Sequence, residues 1–245
     1  MRFKRPCAQG ASREALRPRR FKREGVEVSS YTGHVMSGGP AGVHELSRLT
    51  ISKLSVGPMD NNAYLLRDSA TGAQVLIDAA NEADLLLDLI GPDGLDAVIT
   101  THRHADHFQA LAEVVAATGC RTVAGVVDAP EIPVPTTDPV TGGDTVTFGR
   151  TVLQVLQLRG HTPGAIALYY DDPFGAGHLF SGDCLFPGGV GKTWSPGDFD
   201  TLLADVQTHI FDRLGDETWV YPGHGDDTTV GAERPHLDEW RARGW

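Results

Sequence analysis

The sequence Thr101-His102-Arg103-His104-Ala105-Asp106-His107 places three imidazoles and one carboxylate within six residues. Imidazole nitrogen and carboxylate oxygen are ligands of zinc, iron and manganese, and a site without thiolates usually keeps one position open for water or substrate. A polar surface loop would explain a single histidine equally well. Four potential ligands this close together instead favour a catalytic metal site.

This segment lies between a predicted strand and a predicted helix. Leu95–Thr100 is a short, mostly apolar run, and apolar residues recur at helical spacing from position 108 until Gly119. The first two histidines are two positions apart, so an extended chain projects both toward one ion. Asp106 and His107 are adjacent and point in different directions. They therefore could serve a second ion, and Asp106 is also placed to cap the following helix.

More ligands are expected where other strand-like runs end beside glycine, because glycine lets the backbone approach a site closely. Three segments have this form: Gly160-His161-Thr162-Pro163-Gly164, Ser181-Gly182-Asp183 and Pro222-Gly223-His224-Gly225. A consistent assignment gives one ion His102, His104 and His161, gives the other Asp106, His107 and His224, and lets Asp183 bridge the two.

The other histidines and the cysteine beside the proposed bridge lack this setting. We expect structural or surface roles for His178, His209 and His236, and exposed positions for His34 and His44. Thiolate is a good zinc ligand, but strand alternation sends Cys184 away from Asp183, which favours packing.

The remaining pattern predicts a β-rich α/β sandwich with helices on its outer faces. Strands are predicted at 49–56, 63–66, 73–77, 121–127, 145–155, 165–170, 178–180 and 218–221, and helices at 198–210 and 235–243. A further helix is predicted after Asn81 as N-cap, with Leu85, Leu86 and Leu89 on its apolar face. We expect a basic tail at 1–25, an irregular lead-in at 26–47 and one domain at 48–245.

Charge is distributed unevenly along the 245 residues. Residues 1–25 contain nine Lys/Arg and two Glu, whereas the rest contains 12 basic and 30 acidic residues, a net charge of −18. Such a body repels nucleic acid. Three cysteines without paired spacing fit a reducing cytoplasm, and no apolar run is long enough for a membrane span or signal peptide.

In chain order, the motifs H-x-H-x-D-H, G-H-T-P-G, G-D and P-G-H-G resemble those of metallo-β-lactamase-fold metallohydrolases, from about Leu49 onward. The sequence is most similar to short, single-domain glyoxalase II-like hydrolases. The resemblance implies an αββα four-layer sandwich, and it supports the seven proposed ligands position by position. It does not imply β-lactam hydrolysis, because those enzymes usually carry Cys where this chain has Asp183. Glyoxalase II proper also has a C-terminal helical region that helps hold glutathione, so the carrier thiol stays open.

The implied chemistry is hydrolysis of a small-molecule thioester, ester or lactone by a metal-bridged hydroxide. Two divalent ions are expected, with zinc favoured over iron or manganese. Asp106 would hold the second ion and orient the nucleophile. Lys192 lies in a glycine-rich segment after Asp183 and could contact a substrate carboxylate, although a solvated lysine explains it equally well.

Two other activities occur in proteins of this fold. Persulfide dioxygenases use a single iron held by two histidines and an aspartate, and the intact set from Asp106 to His224 argues against that alternative. Nucleases of the superfamily would suit the basic tail, but the acidic body disfavours them.

We expect residues 1–25 to be a disordered tail, or sequence upstream of the true translation start, rather than a nucleic-acid-binding arm or a targeting peptide. Deleting them is therefore predicted to leave the thermal midpoint and the hydrolytic rate unchanged. Thermal unfolding and turnover of the truncated chain check this. A large loss of either would assign the tail a role.

Overall fold

The architecture follows from strands that bury apolar side chains on both faces. The structure, a computed structural model, describes residues 31–244. Strand β2 (Leu49–Val56) packs Leu49 and Ile51 into one core cluster and Leu54 into another. A strand with two apolar faces must lie between two layers.

The first sheet has seven strands in the spatial order β1 to β7. Neighbouring strands from β1 to β4 are antiparallel, and neighbouring strands from β4 to β7 are parallel. The strands are β1 (Gly42–Glu45), β2 (Leu49–Val56), β3 (Asn61–Asp68), β4 (Gln74–Ile77), β5 (Ala97–Thr100), β6 (Arg121–Gly125) and β7 (Asp138–Val140). Helices α1 (Ala83–Ile90) and α2 (Leu111–Thr118) follow β4 and β5.

The second sheet has six strands in the order β15-β14-β11-β10-β9-β8, and only the β11–β14 pair in it is parallel. These strands are β8 (Thr145–Phe148), β9 (Thr151–Gln157), β10 (Ile166–Tyr170), β11 (His178–Gly182), β14 (Trp219–Pro222) and β15 (Thr228–Thr229), and a separate hairpin joins β12 (Leu185–Phe186) to β13 (Gly189–Val190). The helices are α3 (Pro196–Val206), α4 (Val230–Glu233) and α5 (Leu237–Arg243).

Three buried clusters divide the molecule into four layers. One lies between the sheets and contains Ile99 and Phe180. A second lies between the first sheet and helices α1 and α2, and a third packs Leu179 of the second sheet against α3 and α5. The predicted αββα sandwich is therefore confirmed.

Several predicted element boundaries were wrong. Residues 42–45, placed in an irregular lead-in, form β1 and pair with β2. The single strand predicted at 145–155 is a hairpin, because Gly149 adopts a positive φ of 54° and turns the chain between β8 and β9. The helix predicted at 198–210 consists of α3 (Pro196–Val206) and a π-helical turn at Gln207–Phe211.

The two predicted N-caps were also wrong. Glu82, not Asn81, occupies the N-cap of α1 and provides no side-chain hydrogen bond, and Leu85 on that helix is 40% exposed. Ala110 occupies the N-cap of α2, so Asp106 does not cap that helix. Asp106 lies instead in a short 3-10 turn, Ala105–His107.

A buried lysine fixes the turn after β14. Lys53 is fully buried, and its Nζ donates to Asp227 Oδ1 at 2.6 Å, to the Gly33 carbonyl at 2.8 Å and to the Gly225 carbonyl at 2.7 Å. All three ammonium donors are thereby satisfied, as a buried charge requires. The turn that carries His224 is tied to the first sheet by this contact.

The histidines outside the predicted metal site take structural positions. His178 is buried with Nδ1 2.8 Å from the Tyr221 hydroxyl. The exposed position expected for His44 was wrong, because this side chain is half-buried and contacts the same hydroxyl at 2.9 Å. His34 and His236 are exposed. Cys184 is buried in the third core cluster, so the packing role predicted for it agrees with the structure.

No helix among residues 31–244 combines the length and the hydropathy needed to cross a bilayer. Cys7 and the predicted tail at 1–25 lie outside the described residues.

Burial lowers the pKa of His178 to about 4, against about 6.5 in an unfolded chain. The unfolded state therefore binds more protons between these values, and stability falls as the pH drops through this window. His178→Gln is predicted to reduce the loss of unfolding free energy between pH 7 and pH 5 by about 2 kcal/mol.

Urea unfolding of wild type and variant at the two pH values measures this difference. The exposed His236→Gln is the matched control and should behave as wild type. Equal pH slopes in all three proteins would contradict the account.

Candidate metal centre

The strand ends of both sheets bring the predicted ligands to one edge of the sandwich. The first two histidines follow β5, and His161 follows β9 by four residues. Strands β11 and β14 are parallel with Gly182 opposite Pro222, so Asp183 and His224 leave adjacent strands at the same end. Carboxyl ends of parallel strands meet at one sheet edge, and the sequence order alone did not reveal this pairing.

Three histidines form the first group. His102 Nε2 lies 3.0 Å from His104 Nδ1 and 3.2 Å from His161 Nε2. Their ligand atoms all lie within 4.8 Å of one another. The structure brings together the set that the sequence assigned to one ion.

The second group consists of Asp106, His107 and His224, and it too has its ligand atoms within 4.8 Å. His224 Nε2 lies 3.3 Å from Asp106 Oδ2. Asp183 faces both groups, at 3.3 Å from His107 Nε2, 3.4 Å from His224 Nε2 and 3.6 Å from His161 Nε2. This is the position that the sequence analysis expected for a bridging carboxylate.

Oxygen acceptors hold the outward nitrogens of these rings. His107 Nδ1 lies 2.8 Å from Asp78 Oδ2, His161 Nδ1 lies 2.7 Å from the Lys192 carbonyl, and His224 Nδ1 lies 2.9 Å from the Met59 carbonyl. A carbonyl or carboxylate oxygen only accepts, so each Nδ1 carries the proton. When such a ring is neutral, its inward Nε2 atom then carries a lone pair.

His102 follows the same rule through a hydroxyl. Thr101 Oγ1 donates to Asp78 Oδ2 at 2.8 Å and is therefore free to accept from His102 Nδ1 at 3.0 Å. The Nε2 of His102 also points inward without a proton. Nitrogen lone pairs that face each other repel, and a shared cation removes that repulsion.

Burial and the surrounding charges shift the pKa values of these groups strongly. Burial, together with the other imidazoles, lowers the pKa of His102 well below its usual range. Burial opposes protonation of His107 and His224 as well, but nearby carboxylates outweigh it, and they raise the pKa of His224 to about 10 and that of His107 well above its ordinary value. The pKa of Asp183 is held far below its usual range despite burial, since His107 faces it. The carboxylates at the centre therefore favour positive charge there, as protons or as metal ions.

Two buried atoms indicate that these residues would suit metal ions. Among the described residues, His107 Nε2 and Asp183 Oδ1 have no hydrogen-bond partner. They lie 3.3 Å apart without hydrogen-bond geometry. Buried polar atoms without partners are costly, and a cation between them would satisfy both.

Glycine keeps the space between these atoms open. A Cβ at Gly223 would overlap Asp183 Oδ1 and His107 Cε1, and a Cβ at Gly191 would overlap the Asp183 carbonyl. Any larger residue at position 223 would therefore displace the bridging carboxylate. Glycine was noted beside His161, Asp183 and His224 in the sequence, and the structure gives a physical reason for it at Gly223.

Three residues that support the ligands were not predicted. Asp78 follows β4 and accepts from Thr101 as well as from His107. Fully buried Asp128 accepts from the Arg103 backbone nitrogen, from Thr162 Oγ1 and from the Gly164 nitrogen, which ties two ligand loops together. Asn61 Nδ2 donates to Asp106 Oδ2 at 2.9 Å. An aspartate directly after a buried strand was the available signal for Asp78.

Lys192 lies beside the centre without contacting the ligands through its ammonium group. Its Nζ lies 4.5 Å from the centroid of the Trp194 ring, and Trp194 itself lies 6.3 Å from the His104 ring between centroids. Trp194 is 65% exposed. This exposed aromatic at the entrance was not singled out by the sequence analysis.

A family profile described as the metallo-β-lactamase superfamily matches residues 56–224, which include all seven candidate ligands. The chain belongs to the metallo-β-lactamase superfamily. The His/Asp cluster agrees with the divalent-metal binding of this superfamily, and several similar curated proteins are named hydroxyacylglutathione hydrolase.

Among curated relatives, a hydroxyacylglutathione hydrolase of Rhodobacter capsulatus is 37% identical over 169 residues, which cover 67% of this chain and 62% of that protein. The chain thus spans less than two thirds of the length of such relatives.

Two solved structures extend the likeness. ETHE1 from Myxococcus xanthus is 31% identical with a TM-score of 0.68, and the match covers 76% of this chain and 82% of that one. The protein TTHA1623, solved in a di-iron-bound form, is 35% identical with a TM-score of 0.63, over 74% of this chain and 96% of that one.

Gly223→Ala is predicted to weaken metal binding at the superfamily centre by at least about tenfold, because the new methyl group displaces Asp183. Elemental analysis after dialysis against a weak chelator measures retained metal. Gly215→Ala is the matched control, since no atom lies within 4 Å of a Cβ there. Full metal retention by the Gly223 variant would show that the carboxylate position is not required.

Proposed function

We propose that this superfamily member is a dinuclear metal-dependent hydrolase that cleaves thioesters, with esters and lactones as related substrates. The observation that carries the proposal is the complete second group, Asp106, His107 and His224, joined to the first group through Asp183. A centre for one ion would not need these side chains to converge.

The ligands proposed for the first ion are His102, His104 and His161, those for the second are Asp106, His107 and His224, and Asp183 is shared. Zinc is the preferred ion, and iron or manganese would accept the same donors. When bound, two divalent ions lower the pKa of coordinated water toward neutrality and polarise a carbonyl oxygen.

Asp106 is proposed to orient the attacking water in addition to binding metal. Its Oδ2 accepts from Asn61 at 2.9 Å, and that contact fixes the carboxylate plane. The contact with His224 holds the pKa of Asp106 below its usual range, so the group is ionised at neutral pH. An ionised, fixed carboxylate can accept a hydrogen bond from water and align it.

A thioester substrate is compatible with the absence of an evident general acid among the described residues at the centre. The Nδ1 atoms of His107, His161 and His224 donate to oxygen acceptors, and their Nε2 atoms face the other candidate ligands. A thiolate leaving group needs little protonation because the pKa of a thiol is about 8.5. Lys192, exposed at the entrance, is proposed to contact a charged part of the substrate.

We further propose a small-molecule substrate and a cytoplasmic setting. The −18 charge outside residues 1–25 repels nucleic acid. Cys120 and Cys184 are buried and free, which suits a reducing compartment.

An iron-dependent oxygenase is the second candidate, because ETHE1 from Myxococcus xanthus is among the similar structures. Such an enzyme would use one iron held by two histidines and an aspartate, and it would leave the second group without a role. Oxygen consumption with a persulfide substrate would support it.

The purified protein is predicted to hydrolyse S-lactoylglutathione or simpler thioesters. His102→Ala removes a ligand whose Nε2 contacts two other ligands, so turnover should fall more than about a hundredfold with the fold retained. Thioester hydrolysis, with circular dichroism for the fold, measures this. The exposed His236→Ala is the control, and unchanged turnover in the His102 variant would contradict the proposal.

A further inference from the structure

A cleft of about 370 Å³ opens beside the metal-ligand candidates His104 and His161. Its walls also include Arg103, Arg159 and Trp194. The proposed hydrolytic chemistry assigns no task to either arginine. A substrate bound at the metal centre would nevertheless extend past these side chains, because the cleft is continuous with two of the ligands.

The Arg159 guanidinium is held in one orientation by a buried carboxylate. Its Nε and Nη2 donate to the two oxygens of Asp205 at 2.9 Å each, and the Arg159 backbone nitrogen donates to Asp205 Oδ2 at 2.9 Å. Asp205 is 8% exposed at its side chain, whereas the Arg159 side chain is 57% exposed. Paired donation of this kind fixes the guanidinium plane.

This arrangement leaves part of the guanidinium available. Among residues 31–244, no hydrogen-bond acceptor is found for Arg159 Nη1. Asp205 raises the pKa of Arg159 further, so the group is always charged. The result is a fixed cation that still has donors for a ligand.

Arg103 adds a second cation on the same cleft, between two metal-ligand candidates in sequence. Its nearest carboxylates, Asp128 and Glu131, are each 3.9 Å away, beyond hydrogen-bond distance. Ion pairs this long at a partly exposed side chain contribute little and exchange readily. The Arg103 guanidinium is therefore free to turn toward an anion.

One acidic residue on the cleft reduces this positive charge. Asp198 lies in the first turn of α3 and accepts from Ser195 Oγ at 2.8 Å, so its carboxylate is occupied in the helix cap. The rest of the body is strongly acidic and repels anions. An anionic substrate would need local positive charge of the kind that Arg103 and Arg159 supply.

We infer that this cleft binds a carboxylate of the substrate through Arg159 and Arg103, so that the enzyme prefers thioesters that carry a carboxylate near the scissile bond. The exposed ring of Trp194 provides an apolar wall for the methylene groups between carboxylate and carbonyl. This inference rests on the proposed thioesterase function and specifies its substrate class.

The test compares matched thioesters on the metal-loaded enzyme. Succinyl and butyryl thioesters of N-acetylcysteamine differ by a carboxylate on the acyl side, and butyryl thioester of 3-mercaptopropionate places the carboxylate on the carrier side. The wild type should prefer at least one carboxylate-bearing substrate over the neutral one by about tenfold in kcat/KM, as expected for a charge-assisted contact. Preference for the succinyl substrate would place the carboxylate on the acyl group, and preference for the 3-mercaptopropionate substrate would place it on the carrier thiol.

Arg159→Gln and Arg103→Gln should each lower kcat/KM for the carboxylate-bearing thioester more than for the neutral thioester and so reduce this preference. Arg159→Lys keeps the positive charge but loses the paired guanidinium donors, so it should retain part of the preference. It also provides a usable variant if Arg159→Gln fails to fold. Arg150→Gln, at an exposed position away from the cleft, is the matched control. A preference that survives in both Gln variants, or a wild type that prefers the neutral substrate, would overturn the inference.

A binding measurement separates this inference from the proposed function. Calorimetric titration with thioether analogues of the succinyl and butyryl compounds, in which a methylene replaces the carbonyl, needs no turnover. Tighter binding of the acidic analogue that is lost in Arg159→Gln supports the carboxylate site even if no thioester is cleaved. Hydrolysis of the neutral thioester without any acidic preference supports only the proposed function.

Discussion

The rest of the structure depends on a buried carboxylate that faces three imidazole nitrogens. Asp183 lies within 3.3–3.6 Å of three histidine Nε2 atoms, and its side chain is only 12% exposed. An ionised carboxylate in such a place is costly unless positive charge accompanies it. Without metal, protons on His107 and His224 provide that charge, because the carboxylates raise the pKa values of both rings. Cations bound at the centre would replace those protons, so the arrangement suits a receptor for metal ions.

The sandwich supplies the rigidity that this receptor needs. Parallel strands place Asp78 beside the ligand loop that follows β5, and Asp78 sets the protonation of His107 directly and of His102 through Thr101. Asp128 joins two ligand loops, and Lys53 anchors the turn that carries His224. Groups behind the ligands orient them and fix their tautomers, and such groups control metal affinity.

Much of this could be predicted from the sequence because the ligands lie in short motifs at strand ends. The strand at 49–56, the four layers and the seven candidate ligands required only apolar periodicity, the glycine settings and the family resemblance. Asp78 and Asp128 could not be predicted, since an aspartate after a strand looks the same whether it caps a turn or holds a histidine. The N-caps were missed for a related reason, because the side chains of Asn81 and Asp106 also bond to residues distant in sequence, Gln109 and Asn61. Those partners depend on tertiary contacts that single-chain patterns do not contain.

The central claim is that both ligand groups bind metal at the same time. Elemental analysis of the purified, full-length protein, reported as metal per chain, tests it most directly. The account predicts close to two equivalents of divalent metal. About one equivalent of iron would contradict it, because Asp106, His107 and His224 would then converge without an ion to hold.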